Sequence, residues 1–308
     1  MIQENVPFST LGSYRLGGNV SHLATPRTEE ELLATIQLLN DRKWPVFIIG
    51  SGTNLLVGDE GFSGLMIRPD FSFIEQNGNE IRVGAGVLMA DLLAYALREN
   101  LGGMEWAGGL PGTVGGAVRG NAGCFGSETK DFILGVESIN LQTGKKIVRE
   151  KKDGEFEYRS SIFKTKLDGK EIITAATLTL FPQERKISEA VANEHIQYRK
   201  DRQPLEYPNI GSIFKNVDAR NFTEEKLKPF SAVIKKDPFL VIPTAYLISE
   251  TGLKGTRSGG AEISGKHPNF IINTGQATAK DVKTLISLAQ EKVKEKFSIQ
   301  IEPEVIEI

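Results

Sequence analysis

Residues 101–126 read LGGMEWAGGLPGTVGGAVRGNAGCFG, and ten of the chain's 32 glycines fall between Gly102 and Gly126. A run this rich in glycine is not expected to form an ordinary helix or strand, because glycine loses the most backbone freedom on ordering and brings no side chain to pack. The part from Gly108 to Gly126 is also too long to be a mere connector. Pro111 sets a rigid turn start. Gly115, Gly116 and Ala117 would let the main chain approach a flat or bulky ligand closely, and Asn121 offers an amide.

A second glycine turn lies upstream. The apolar run Val46–Ile49 reads as a buried strand and feeds directly into GSGTNLL, Gly50–Leu56. A strand followed by this turn, with Asp70 downstream, invites a dinucleotide fingerprint. That reading fails, because Leu55 replaces the third glycine and Gly58, Gly61 and Gly64 leave no room for a crossover helix. No Gly-Lys-Ser/Thr follows, so the P-loop pattern is absent as well. What remains is a turn of free N–H groups with small hydroxyls at Ser51 and Thr53 and an amide at Asn54, suited to a phosphate or pyrophosphate. Alone it reads equally well as a plain β-turn. Two such nests in one chain suggest a dinucleotide spanning both.

Outward from these loops the pattern is mixed α+β. Residues 28–43 predict a helix, with Thr28 and Glu31 as a capping box and Leu32, Ile36 and Leu39 on one face. Leu88–Asn100 predicts a second, and strands are expected at 65–68, 172–180, 269–273 and 299–308. Hairpins are expected at Asn77-Gly78 and Thr143-Gly144. Near Ser188 a polar helical stretch leads into Pro204 and Pro208, marking a boundary around 190–200; 242–251 and 278–297 read as helices beyond it.

The bulk numbers exclude several classes. A chain of 308 residues with 40% hydrophobic and 25% charged residues has ample core. A net charge of −2 without basic runs argues against nucleic acid. A single cysteine, Cys124, excludes an internal disulfide, and the scattered His22, His195 and His267 make no metal spacing, so no metal is expected. Neither a secretory signal nor an apolar run of about 18 residues is visible, so a cytoplasmic protein without a membrane partner is the expectation.

With GSGTNLL, Ala107–Thr113 and GGAVRGNAG in view, the chain resembles the UDP-N-acetylenolpyruvoylglucosamine reductase (MurB) family. FEYRSSIFK (Phe156–Lys164), GSIFKN (Gly211–Asn216), Gly252–Asn273 and the terminal EPEV (Glu302–Val305) match the same family in order, covering nearly the whole chain. The resemblance implies a two-subdomain FAD-binding unit of the PCMH or vanillyl-alcohol-oxidase type plus a C-terminal α+β substrate-binding domain. The divisions would be 1–68, joined by the tail 301–308, then 69–192, then 193–300. It implies non-covalent FAD, NADPH as co-substrate, and reduction of the enolpyruvyl ether of UDP-N-acetylglucosamine to the muramate in peptidoglycan synthesis, by a monomer.

FAD would be held by Gly50, Ser51, Gly52, Thr53, Asn54, Leu55, Gly109, Pro111, Gly112, Thr113, Gly115, Gly116, Ala117, Asn121 and Gly123. Negative charge develops as hydride reaches the enol ether, and a proton must be delivered to the other carbon. On sequence alone Arg159 reads more readily as a surface partner of Glu155 or Glu157, and Ser161 and Ser212 both sit in SIFK. The family motif selects Arg159 for the enolate, Ser212 as proton donor, and Glu304, which would act best protonated, with a raised pKa in the substrate complex. Ser161 is then structural. Tyr158, Lys215, Asn216 and His267 are the implied substrate contacts. The Arg159–Ser212 spacing resembles the shorter class of the family, without the extra loop that carries a substrate-closing tyrosine. Competing readings are another FAD-linked oxidoreductase of the alcohol or lactone oxidase type, and a nucleotide-binding module without activity. None of the three histidines lies in a glycine loop to carry a covalent flavin.

Overall fold

A computed structural model describes residues 2–237 and 239–308. The chain divides into two compact units, Met1–Val6 with Val20–Ser51 and Ser63–Tyr198, and Pro7–Asn19 with Gly52–Phe62 and Arg199–Ile308. These units do not follow the chain in three successive pieces. Leu55–Leu56 pairs in parallel with Ile306–Glu307, and Leu56 is fully buried in the core of the second unit, so the end of the first glycine turn belongs there.

The first unit centres on an antiparallel sheet in the order Lys146–Glu150, Ile133–Asn140, Glu171–Thr179, Glu80–Gly84, Ile74–Asn77. The middle strand is buried on both faces, which explains its nearly continuous apolar sequence. Ile173, Ala176 and Leu178 join one core with Leu92, Leu93 and Ala96 of the helix Met89–Arg98, whereas Ile172 joins another with Leu32, Ile36 and Leu39 of the helix Glu29–Arg42. Thr28 caps the latter as expected, its Oγ1 accepting the Glu31 N–H at 3.2 Å. The box is not reciprocal: the Glu31 carboxylate reaches one residue further back, to the Arg27 N–H at 2.7 Å. The hairpin expected at Asn77-Gly78 turns one residue later. Asn77 pairs with Glu80, and Gly78, at φ +61°, takes the first loop position, where a positive φ favours glycine.

Two expectations about the glycine loops are corrected. Residues 114–120, Val-Gly-Gly-Ala-Val-Arg-Gly, do form a helix, capped by Thr113 and ended by Asn121 in the left-handed conformation. Propensity is overridden by packing. A Cβ on Gly115 would lie 2.9 Å from the Ala85 Cβ, so only glycine lets this helix seat against the strand end at Ala85. The strands flanking the first turn are parallel, Val46–Ile48 against Leu65–Ile67. The crossover between them is non-helical, as the glycines require.

The second unit packs Val282, Leu285, Ile286, Ala289 and Val293 of the helix Ala279–Phe297 against two small antiparallel sheets, one of them Arg257–Ser258, Ala261–Ile263, Ile271–Asn273. Thr278 and Asp281 form the reciprocal capping box at its start, and the Thr278 N–H holds the Asp281 carboxyl below its usual range. The strand expected over 299–308 is reduced to Ile306–Glu307. Pro303 interrupts it, yet costs no ladder bond, because the bonds on either side run from Lys215 N–H to Glu302 O at 3.0 Å and from Glu304 N–H to Ile213 O at 2.7 Å. No helix among the described residues is long and apolar enough to cross a membrane.

Candidate active site

The first glycine turn behaves as a nest. Among the described residues, none of the backbone N–H groups of Gly50, Ser51, Gly52, Thr53 and Asn54 donates to a protein acceptor, and the Ser51 and Thr53 hydroxyls make no hydrogen bond. Gly52 adopts φ +62°, the turn conformation glycine accepts at least cost. A row of unclaimed amides without large side chains fits a pyrophosphate, so the residues present fit the FAD the family motif implies. The Asn54 side chain is otherwise engaged, its Nδ2 donating to the Glu304 carbonyl at 3.2 Å, and the residue's backbone carbonyl accepts the Ile306 N–H at 3.1 Å.

The second loop is a nest only in part: among the described residues the N–H groups of Gly109, Gly112 and Thr113 donate to no protein acceptor, but those further on are committed. The Val114 and Gly115 N–H groups donate to the Val87 and Ala85 carbonyls at 2.9 Å each, and the Gly116 N–H goes to Thr113 Oγ1 at 3.3 Å. Its contribution is surface. Gly116 is exposed, and a Cβ there would meet nothing closer than Thr113 Oγ1 at 3.5 Å, so the helix presents a flat backbone face beside Ala117. Gly109 and Gly112, with φ of +71° and +112°, shape the turn around Pro111. The two loops touch: a Cβ on Gly50 would lie 2.6 Å from Thr113 Oγ1. Gly123 opens a two-residue hairpin with Cys124, whose thiol donates to the Trp106 carbonyl.

Asn121 is the clearest correction among the expected cofactor contacts. It is fully buried, its Nδ2 donates to the Glu157 carbonyl at 2.9 Å, and its Oδ1 accepts the Lys130 N–H at 3.0 Å. With each end of the amide bonded inside the protein and the residue fully buried, the side chain is committed to holding its neighbours.

Arg159 sits at the tip of a tight turn. Glu157 and Ser160 exchange both N–H···O bonds at 3.1 Å, leaving Tyr158 and Arg159 as the projecting pair. Arg159 has φ +56°, a conformation that costs a side-chain-bearing residue about 1 kcal/mol or more. Its guanidinium lies 5.7 Å from the Tyr158 ring centroid, and Lys164 Nζ donates to its carbonyl at 2.8 Å. Ser161 is structural, its buried hydroxyl donating to the Arg119 carbonyl at 2.7 Å and accepting the Phe163 N–H.

Ser212 and Glu304 lie on segments that pair within the second unit. The hydrogen bond from the Glu304 amide to the carbonyl of Ile213 pins the terminal segment beside Ser212, whose hydroxyl makes no hydrogen bond among the described residues. Two residues that sequence reasoning missed hold this arrangement. The buried Asn269 clamps the Ile213–Phe214 backbone, with its carbonyl on the Ile213 N–H, its Oδ1 on the Phe214 N–H and its Nδ2 on the Phe214 carbonyl. Ser13 Oγ donates to the Asn209 carbonyl at 2.7 Å, and its N–H reaches the Gly52 carbonyl at 3.3 Å. Asn269 lies within the matched stretch Gly252–Asn273 but is not singled out there, and Ser13 lies in no motif, so only their polarity could have marked them.

The expected substrate contacts are partly committed. Lys215 Nζ is paired with Glu302 at 2.8 Å, and the Asn216 Oδ1 accepts the Thr244 N–H at 3.2 Å. His267 is mostly buried, and desolvation lowers its pKa to about 4, with Lys235 and Lys254 adding repulsion. It is therefore neutral at pH 7 and can contact a sugar nucleotide only as a dipole.

Comparison with known proteins matches residues 203–308 to the UDP-N-acetylenolpyruvoylglucosamine reductase C-terminal domain and residues 20–148 to an FAD binding domain. The UDP-N-acetylenolpyruvoylglucosamine reductase of Clostridium botulinum (strain Alaska E43 / Type E3) is 36% identical over 99% of this chain and 92% of its own length. That of Carboxydothermus hydrogenoformans is 38% identical over 99% and 93%. The crystal structure of the reductase (MurB) from Thermus caldophilus superposes with a TM-score of 0.79 at 32% identity, covering 100% of this chain and 99% of that one.

Proposed function

The chain belongs to the UDP-N-acetylenolpyruvoylglucosamine reductase family, and from that membership we propose that Arg159, Ser212 and Glu304 carry out its reaction. The protein is an FAD-dependent oxidoreductase with NADPH as co-substrate, a UDP-N-acetylmuramate dehydrogenase of peptidoglycan synthesis. FAD, held by the glycine loops, would supply the two-electron redox chemistry that links NADPH to the enolpyruvyl double bond.

Arg159 binds the substrate carboxylate and stabilises the enolate charge as it develops. A fixed planar fork suits that task better than a lysine. Glu304, protonated in the substrate complex, donates to the same carboxylate. The Ser212 hydroxyl gives its proton to the carbon that does not receive hydride, made acidic enough by the charge nearby. The amides and hydroxyls of Gly50–Leu55 hold the pyrophosphate, and Gly109, Pro111, Gly112, Thr113, Gly115, Gly116, Ala117 and Gly123 line the cofactor. Tyr158, Lys215, Asn216 and neutral His267 contact the sugar nucleotide, Lys215 by exchanging Glu302 for phosphate. The three-part division by chain order assigns ligands: residues 1–192 with the tail to FAD, 193–300 to substrate. Both substrates are soluble nucleotides, in keeping with a cytoplasmic monomer that needs neither membrane nor nucleic acid.

The observation that supports this reading is the Glu304 N–H to Ile213 carbonyl hydrogen bond, which ties the backbone at Glu304 to the residue next to Ser212. The test is the purified protein's flavin spectrum, followed by mixing with NADPH with and without the UDP-linked enolpyruvyl sugar. NADPH should bleach the flavin and the sugar nucleotide should restore it. A colourless protein, or bleached flavin that the sugar nucleotide cannot reoxidise, sinks the proposal. Ser212→Ala should leave bleaching by NADPH intact and slow only reoxidation; equal loss of both contradicts the role of Ser212.

A further inference from the structure

Arg159 occupies a backbone conformation that its own residue type disfavours, at the tip of a turn closed by only one pair of hydrogen bonds. A strained residue persists only where its surroundings over-determine it. At Arg159 two anchors do so. The carbonyl of Glu157, which opens the turn, accepts a second bond from Asn121 Nδ2 at 2.9 Å. Just past the turn, the Ser161 hydroxyl donates to the carbonyl of Arg119 at 2.7 Å. Both anchors belong to the last turn of the helix Val114–Gly120 and its cap. Asn121 cannot rotate away, because its Oδ1 is held by the Lys130 N–H and the residue is fully buried. A flipped amide would place an acceptor against the Glu157 carbonyl and a donor against the Lys130 N–H.

We propose that Asn121 is a positioning residue for Arg159: it fixes the Glu157–Ser160 turn to the end of the glycine helix, and so sets where the guanidinium projects. The proposal rests on the assignment of Arg159 to the enolate. It requires no contact between Asn121 and either cofactor or substrate.

Two substitutions separate the possibilities. Asn121→Gly keeps the left-handed backbone (φ +43°) and removes both side-chain bonds. Asn121→Asp keeps an acceptor for Lys130 and replaces the donor facing Glu157. Each flavin-loaded variant is examined by rapid mixing and by amide hydrogen exchange at residues 157–160. Bleaching by NADPH should stay within about twofold of wild type, reoxidation by the UDP-linked enolpyruvyl sugar should slow about tenfold or more with most of the change in its limiting rate, and the Glu157 and Ser160 amides should exchange faster. In an Arg159→Ala background, Asn121→Gly should slow reoxidation no further, since two residues acting through one interaction are not additive.

Wild-type reoxidation by Asn121→Asp, unchanged exchange in the turn, or a full additional loss in the double variant would overturn the proposal. Failure of Asn121→Asp to retain flavin would also overturn it, because that places Asn121 in the cofactor site. If Arg159→Ala itself reoxidises at the wild-type rate, the role given to Arg159 falls. The exchange measurement then still decides whether Asn121 holds the turn.

Discussion

Replacing Arg159 by glycine and by alanine tests the strain at the turn directly. Both variants lose the guanidinium and its contact with the Tyr158 ring, 5.7 Å away, so those losses cancel in the comparison. What differs is the backbone. At φ +56° alanine retains the penalty that arginine bears, and glycine does not. At an ordinary position glycine would be the less stable of the two by about 0.5–1 kcal/mol, through the greater freedom of its unfolded chain. Here the order should reverse, with Arg159→Gly more stable than Arg159→Ala by about 1 kcal/mol. For a unit of this size that is a difference of about 2–4 °C in the unfolding midpoint. Scanning calorimetry at matched flavin content is the assay, since bound flavin shifts both variants alike. Neither variant should reoxidise flavin with the enolpyruvyl sugar at the wild-type rate. An alanine variant as stable as the glycine variant, or more so, would show that residue 159 is not held left-handed and would remove the ground for calling the turn strained.

The remaining predictions use other parts of the site. Gly50→Ala would push a Cβ to 2.6 Å from Thr113 Oγ1, the atom that caps the glycine helix, so flavin dissociation followed by fluorescence should quicken and stability fall by about 1 kcal/mol; unchanged flavin retention would refute the abutment of the two loops. The pKa of His267 is lowered to about 4, so its unfolded form protonates first, near pH 6.5, and the folded state loses stability as pH falls from about 6.5 towards 4, by at most about 3 kcal/mol. His267→Gln should lack that loss, and a gap between the two proteins that stays constant from pH 7 to 4.5 in urea titrations would contradict the burial argument. Glu304→Gln should leave flavin reduction by NADPH intact and alter the pH–rate profile of reoxidation, and an unaltered profile would count against its role as a proton-bearing group.

What could be read in advance divides along the range of the interactions. The caps at Thr28 and Thr278 are legible because each joins groups within three residues, and the hairpin at Thr143-Gly144 because Asn140 Oδ1 collects the N–H groups of Gln142 and Thr143 locally. The helix 114–120 is not, since the acceptors that seat it, the carbonyls of Ala85 and Val87, come from a distant strand end. Local propensity has no knowledge of them, and four small residues in seven read as loop. The site shows the same division in a sharper form. Asn121 looks available because it is polar in an apolar run, yet its partners at 130 and 157 bond both ends of its buried amide. Arg159 looks like a surface cation between two glutamates, yet it occupies a position where backbone energy alone would select glycine or asparagine. At position 159 the proposed role of the side chain accounts for a residue that local energetics disfavour, whereas a polar residue in a glycine run need only be satisfying its neighbours. The family motif identifies Arg159 from chemistry, but the strain beneath it is visible only once the turn is seen, and that strain is what makes the buried amide of Asn121 necessary.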